Sequence, residues 1–427
     1  MYEPVRVERT VSVEIPARPS RAAAPRTAPV YAGRHALAEI DLVSRDENAR
    51  SAARAGETIQ RAMGMEVETA LPIFQTGGVP FAGDTTLIDH KYYTLVTDYR
   101  KGGPDGKQLY SNLEFVMKHF NQMTGTLDDA EKELLRRFGA MQEYWVRLHS
   151  TMDARRTLAE VHPYMADEGL VSSAPSGTYV DPTYAHDVGE KLYVHYTVGY
   201  APEDVIGLVT STLASAKSRP TEGKLRAAES PTVATNVAKF LVDIKGVRFS
   251  AAERARLEGY VALVFMNVAA FHDDVAKDPA ERGQVKNLTS ALSRVPLKTA
   301  FETTLDDAIK DAIEDNFDDV EQLIADPLGA WNDDHTRQVV TAADVLKDPR
   351  KTETPVVKLG DYLKSALGRG AVIPQMHVFG GMRETDVDAT VKGRGIPMEL
   401  RNVGKQFVTW KELWEDAKAL LKQSRGK

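Results

Sequence analysis

Three short stretches that lie far apart in the chain share one layout. Gly64-Met65-Glu66-Val67-Glu68, Val194-His195-Tyr196-Thr197-Val198 and Pro397-Met398-Glu399-Leu400-Arg401 each alternate apolar residues with polar, ionisable or small ones. Alternation of period two predicts a strand with one buried face, because successive side chains point to opposite sides. In that conformation Glu66 with Glu68, His195 with Thr197, and Glu399 with Arg401 each share a face. A sheet built from such strands hides its apolar side and presents carboxylates, an imidazole and a guanidinium together on the other. Sites of that kind bind metal ions and phosphate.

The chain can bury the core such a sheet needs: it has 427 residues, of which 42% are hydrophobic. Its formal net charge of -7 argues against a dedicated nucleic-acid binder, which would use a basic surface to displace counterions from phosphate. With no cysteine, a catalytic metal has to be held by carboxylate or imidazole, and oxygen-rich ligation favours magnesium or manganese. No segment approaches the roughly 20 consecutive apolar residues that span a bilayer, and the apolar run from Tyr260 to Phe271 reads as a buried core helix. The opening Met-Tyr-Glu-Pro-Val-Arg is not followed by an apolar stretch, so no secretory signal is expected and a cytoplasmic protein is.

Residues 1–61 are rich in Pro, Ala and Arg and offer little for a core; they are predicted to be a disordered leader, either a solvated spacer or a recruitment tag. The remainder, 62–427, reads as one α+β domain. Strands are expected over Gly64 to Ala70, Tyr92 to Asp98 and Tyr110 to Phe120, with a turn at Lys101 to Gly106. Thr126 with Asp129 opens a helix running to about His149. From about 202 to 348 the period changes to 3.6: Ser250 and Glu253 form a capping box ahead of a Leu257 to Val275 helix. Ile309, Ile313, Phe317, Val320 and Ile324 then mark an amphipathic helix with a wet acidic face. Strand character returns over Val372 to Phe379 and Ile396 to Val403, and Thr409 with Glu412 caps a closing helix carrying Leu413, Ala417, Leu420 and Leu421.

Each polar motif alone has a plain structural reading: a solvent-facing strand edge for Glu66 and Glu68, a core histidine for His195, a surface pair for Glu399 and Arg401. Their order is more informative. A Gly-x-Glu-x-Glu strand, an Asp strand (Asp98), a Glu strand (Glu114), a His-x-Thr strand and a late Glu-x-Arg strand together resemble the carboxylate-amine ligases related to glutamine synthetase and glutamate-cysteine ligase, and among them the amidoligases. The resemblance covers about residues 62 to 421. It implies an antiparallel or mixed sheet forming a glutamine-synthetase-like core, with the helical section packed against it.

It further implies that Glu66, Glu68, Glu114 and Glu399 hold magnesium or manganese, that His195 faces the nucleotide or the substrate carboxylate, and that Arg401 binds the transferred phosphoryl group. Lys286 and Arg294 match substrate-binding positions, although helix-end capping is an alternative. Arg383 and Arg394 match phosphate-binding arginines of a Gly-rich loop that is otherwise a surface loop. Asp98 is placed to deprotonate the amine or to serve its strand structurally, and the Gly77-Gly78 and Gly380-Gly381 loops would be lids. The activity implied is ATP-dependent amide or isopeptide formation through an acyl phosphate, on an amino acid, peptide or protein carboxylate and amine. No nucleic-acid or membrane partner is implied, and the oligomeric state stays open. Two other readings remain: a guanidino-kinase-like phosphotransferase, and a non-catalytic scaffold, which the absence of a Gly-x-x-x-x-Gly-Lys-Ser loop keeps open.

Overall fold

The computed structural model of the chain describes residues 62–81, 85–102, 109–123, 125–149, 155–158, 171–181, 192–215, 221–278, 285, 288–347, 352–380, 395–401, 403 and 407–425. The leader, Lys286, Gly381, Arg383 and Arg394 lie outside them.

Period-two alternation produces the long strand β1, Ala62–Phe74, and around it β2 (Thr86–Asp89), β3 (Tyr93–Gly102), β4 (Leu109–Met117), β5 (Tyr193–Tyr200), β6 (Ala291–Ser293) and β7 (Ile396–Leu400). These join one sheet in the order β6-β7-β5-β1-β4-β3-β2, every pairing antiparallel. The first and last strands of the sequence motif are thus separated by β5 alone.

Pro72 sits in the central strand, where it cannot donate a ladder bond. The β1–β4 register shifts between Glu68 and Pro72 to accommodate it, and the buried Thr69 hydroxyl donates to the Leu113 carbonyl at 2.6 Å across the irregularity.

One face of the sheet is predominantly apolar. Met63, Met65 and Val67 of β1, Leu113 and Phe115 of β4, Tyr196 and Val198 of β5 and Met398 and Leu400 of β7 are essentially inaccessible. Helix α1 (Leu127–His149) and a C-terminal helix (Trp410–Ser424) cover this face: the Phe115 ring meets Tyr144, Trp145 and Trp410 edge-on at 6.1, 6.5 and 6.3 Å. Each such side chain contributes roughly 1.5–3 kcal/mol by burial. The cost of ordering the chain offsets most of that gain.

The helical section contains α2 (Glu222–Lys239), α3 (Ala251–Val275), α4 (Leu297–Thr304), α5 (Asp307–Asp315) and α6 (Phe317–Ala325). Helix α3 opens with the expected Ser250/Glu253 capping box and is buried along nearly its whole second half. It crosses the turn after β5 so closely that a Cβ on Gly259 would lie 1.7 Å from the Pro202 carbonyl oxygen. Its Asn267 amide donates to the Ala291 carbonyl at 3.1 Å, tying the core helix to β6. No helix among the described residues is long and apolar enough to cross a membrane.

Two expectations are corrected. The single helix spanning Ile309 to Ile324 is two helices, broken where Asn316 leaves helical geometry and its amide donates to the Ala312 carbonyl at 2.9 Å. Val372 to Phe379 is not a strand: Gln375–Phe379 is a short helix that starts after Pro374 and buries Gln375, Val378 and Phe379. That burial follows a helical i, i+3, i+4 spacing, which so short an apolar run does not distinguish from a strand.

Candidate active site

The face opposite α1 carries the ionisable residues, and register decides which of them meet. Glu66 lies directly across from His195, Gly64 from Thr197, and Thr197 in turn from Glu399. Glu68 lies across from Glu114. Opposed residues of an antiparallel pair have Cβ atoms about 4.5–5.5 Å apart, so side chains from four neighbouring strands converge. Edge strand β6 adds one more. The Arg294 amide donates to the Pro397 carbonyl at 2.8 Å and the Arg401 amide to the Ser290 carbonyl at 3.0 Å, so β7 is held at both ends. Arg294 is carried to the same face as Glu399 by the β6–β7 pairing.

Glu66, His195 and Glu399 each offer a ligand atom, and these atoms all lie within 4.8 Å of one another. The His195 Nδ1 is 3.8 Å from a carboxylate oxygen of both Glu66 and Glu399. Its Nε2 is 3.4 Å from the Arg401 guanidinium. The Arg294 guanidinium donates to Glu399 at 2.7 Å and stands 3.8 Å from Glu66. Arg401 pairs with the other Glu399 oxygen. Glu399 is only 1% exposed, and without these two guanidinium groups its charge would be costly to bury.

Burial works to raise the Glu66 carboxyl. The His195 hydrogen bond and the charges of Arg294, His195 and Arg401 outweigh it and hold the pKa at about 2. For His195, burial first and Arg401 second push the imidazole below its ordinary value, against the pull of Glu66 and Glu399. At neutral pH Glu66 is therefore ionised and the His195 imidazole neutral, with the Arg294 and Arg401 guanidinium groups beside them. That donor set, oxygen with one imidazole nitrogen, suits a hard divalent cation.

Of the sequence-derived candidates, Glu66, His195, Glu399, Arg294 and Arg401 come together. Glu68 and Glu114 form a second carboxylate pair one alternation along β1. Asp98 stands apart, on β3 beside a register irregularity, two strands from β1. Tyr193 was not singled out from the sequence: its ring packs edge-on against His195 at 4.8 Å and sets the imidazole plane. The alternation Tyr193-x-His195-x-Thr197 would have placed it on that face.

No protein-family model matches the chain, and no curated protein does. Among solved structures, the VgrG Vibrio cholerae toxin ACD domain, a Glu-to-Gln mutant in complex with ADP and Mn++, is similar with a TM-score of 0.42 and 14% identity, covering 82% of this chain and 96% of that one. Likeness at that level carries no functional weight, and the residues of the site have to supply it.

Proposed function

We propose that the protein is an ATP- and magnesium-dependent carboxylate-amine ligase. The observation that carries this reading is the convergence of Glu66, His195 and Glu399 within 4.8 Å, with Arg294 and Arg401 against the same carboxylate. Glu66 and Glu399, with Glu68 and Glu114 beside them, would hold magnesium or manganese. When bound, such ions neutralise phosphate oxygens and orient the nucleotide.

The chain's own residues then position and neutralise. A substrate carboxylate oxygen attacks the γ-phosphorus of ATP and ADP leaves. Arg401 and Arg294 stabilise the charge on the transferred group, for which a planar guanidinium is suited because it binds phosphate bidentately. An amine nitrogen next attacks the carbonyl carbon of the acyl phosphate; the C–N bond forms, the C–O bond to phosphate breaks, and the nitrogen loses a proton. Buried His195, held between the carboxylates and Arg401, keeps the two sets of charges in place. Lys286, Arg383 and Arg394 retain the substrate- and phosphate-binding roles implied by the family resemblance. Residues 62–427 would form the catalytic domain, with 1–61 as a leader.

The test is incubation with ATP, magnesium and pooled amino acids and acidic peptides, followed by mass spectrometry. The expected products are amides lighter than their parts by one water, with release of inorganic phosphate. A phosphorylated acceptor would instead indicate a phosphotransferase, and no turnover at all would refute the enzyme reading. Glu399→Gln should lower turnover at least about 100-fold while circular dichroism stays that of the wild type. Undiminished turnover in that variant would overturn the metal assignment.

A further inference from the structure

One titratable side chain on this face has no part in the mechanism above. β4 ends at Met117, and the chain pairs again with β1 only at Phe120 and Asn121, opposite Met63 and Ala62. Between them the Lys118 amide donates to the Tyr92 carbonyl at 2.9 Å, and His119 follows. Phe120 is buried whereas His119 is exposed.

The imidazole lies over the backbone of Gly64: a Cβ there would come 2.6 Å from the ring Cδ2 and 2.8 Å from Nε2. Gly64 shares its face with Glu66 and Glu68, so the ring covers the ligand side of β1. Gly64 is also the first member of the cross-strand row that runs through Thr197 to Glu399. Because no side chain larger than hydrogen fits beneath it, the glycine of the Gly-x-Glu-x-Glu motif acquires a reason: it is the seat of His119.

The other candidates for handling a proton here are committed. Glu66 and Glu399 are assigned to the cation. His195 has one ring nitrogen between those carboxylates and the other against Arg401, and guanidinium groups do not accept protons. His119 is the imidazole that an incoming molecule can reach. Although exposed, it is packed closely enough that desolvation first, and the Arg294 charge second, hold it below the usual imidazole pKa; Glu66 opposes this and Arg137 adds to it. It is thus neutral at physiological pH.

Building on the ligase reading, we propose that His119 receives the attacking amine, a primary amine arriving from solvent. Its ring nitrogen accepts a hydrogen bond from the amine and takes the proton released as the C–N bond forms and phosphate departs with the C–O electron pair. Gly64 acts as a positioning residue by keeping the ring over the site.

The test compares two nucleophiles, with ATP, magnesium and pooled free amino acids and acidic peptides as carboxylates. Hydroxylamine is already unprotonated at neutral pH and traps the acyl phosphate as a hydroxamate without a base, whereas ammonium and lysine must lose a proton. His119→Ala should lower amide formation from ammonium and lysine roughly 100-fold and leave hydroxamate formation within about threefold of the wild type. Gly64→Ala, which displaces the ring without removing it, should show the same pattern in weaker form. A His119→Ala protein with wild-type melting temperature that loses both reactions equally, or neither, would overturn the assignment. Absence of hydroxamate from the wild-type protein would instead overturn the ligase reading, and this assignment would fall with it.

Discussion

Substituting Glu66 by Gln and following stability across pH isolates the charge arrangement at the centre of the site. Burial alone would make the Glu66 carboxyl easier to protonate, yet the His195 hydrogen bond and the Arg294, His195 and Arg401 charges bring it from the ordinary 4.5 down to about 2. At about 1.4 kcal/mol per tenfold change in proton affinity, that depression corresponds to about 3 kcal/mol of stability. The side chain is 27% exposed, so solvent screening trims the figure without removing it.

The sign follows from linkage. The folded state holds the ionised carboxylate more strongly than the unfolded chain does, so the contribution is fully present above about pH 4.5 and is lost as pH falls toward 2. The Gln variant has no such group to titrate. Urea unfolding monitored by tryptophan fluorescence, in buffer containing a chelator, should therefore give a gap between wild type and Glu66→Gln that is constant from neutral pH to about pH 5 and then shifts against the wild type by about 3 kcal/mol as pH approaches 2. Within a total stability of roughly 5–15 kcal/mol such a change is measurable. Parallel pH profiles for the two proteins would mean that Glu66 does not sit in the field of Arg294 and Arg401, and the proposed cluster would have to be abandoned.

Two further substitutions test how the fold supports the site. Gly259→Ala places a Cβ 1.7 Å from the Pro202 carbonyl oxygen, a backbone atom that cannot turn aside; it should destabilise the protein by about 3 kcal/mol despite the better helix propensity of alanine, and unchanged denaturant unfolding would refute the close crossing. Ser250→Ala removes the hydroxyl that accepts from the Glu253 amide at 3.2 Å in the capping box of α3 and should cost about 1 kcal/mol in the same assay; no loss would mean that α3 draws nothing from its cap.

The strands carrying the site were legible because their two faces meet different chemistry: Met65, Val67, Tyr196 and Leu400 on the packed side, Glu66, His195 and Arg401 on the other. Register was not legible, since nothing local to residues 64–68 states that Glu66 rather than Glu68 faces His195. Arg294 illustrates the same limit from another direction. It follows a three-residue strand inside a section of helical period, and only the pairing of Ala291–Ser293 with β7 brings it to Glu399. The capped helices were read correctly from Ser250 with Glu253 and Thr409 with Glu412, because a cap is encoded within four residues. Val372 to Phe379 was misread for the converse reason: its burial is set by the helical section it packs into.

The placement of Glu399 separates the needs of folding from those of the site. A carboxylate that is 1% exposed requires both Arg294 and Arg401 to be tolerable. Where such buried ion groups have been exchanged for apolar residues of similar volume in other proteins, stability has often been unchanged or improved. Folding alone therefore gives no reason for a buried carboxylate between two guanidinium groups and an imidazole, whereas binding of a divalent cation and a phosphoryl group does. On this argument, exchanging Glu399, Arg294 and Arg401 together for Leu, Met and Met should retain or raise thermal stability while abolishing turnover, whereas Glu399→Leu alone, which leaves the two guanidinium groups without their carboxylate, should cost about 3–5 kcal/mol; a large loss of stability in the triple variant would show that the ion group serves the fold instead.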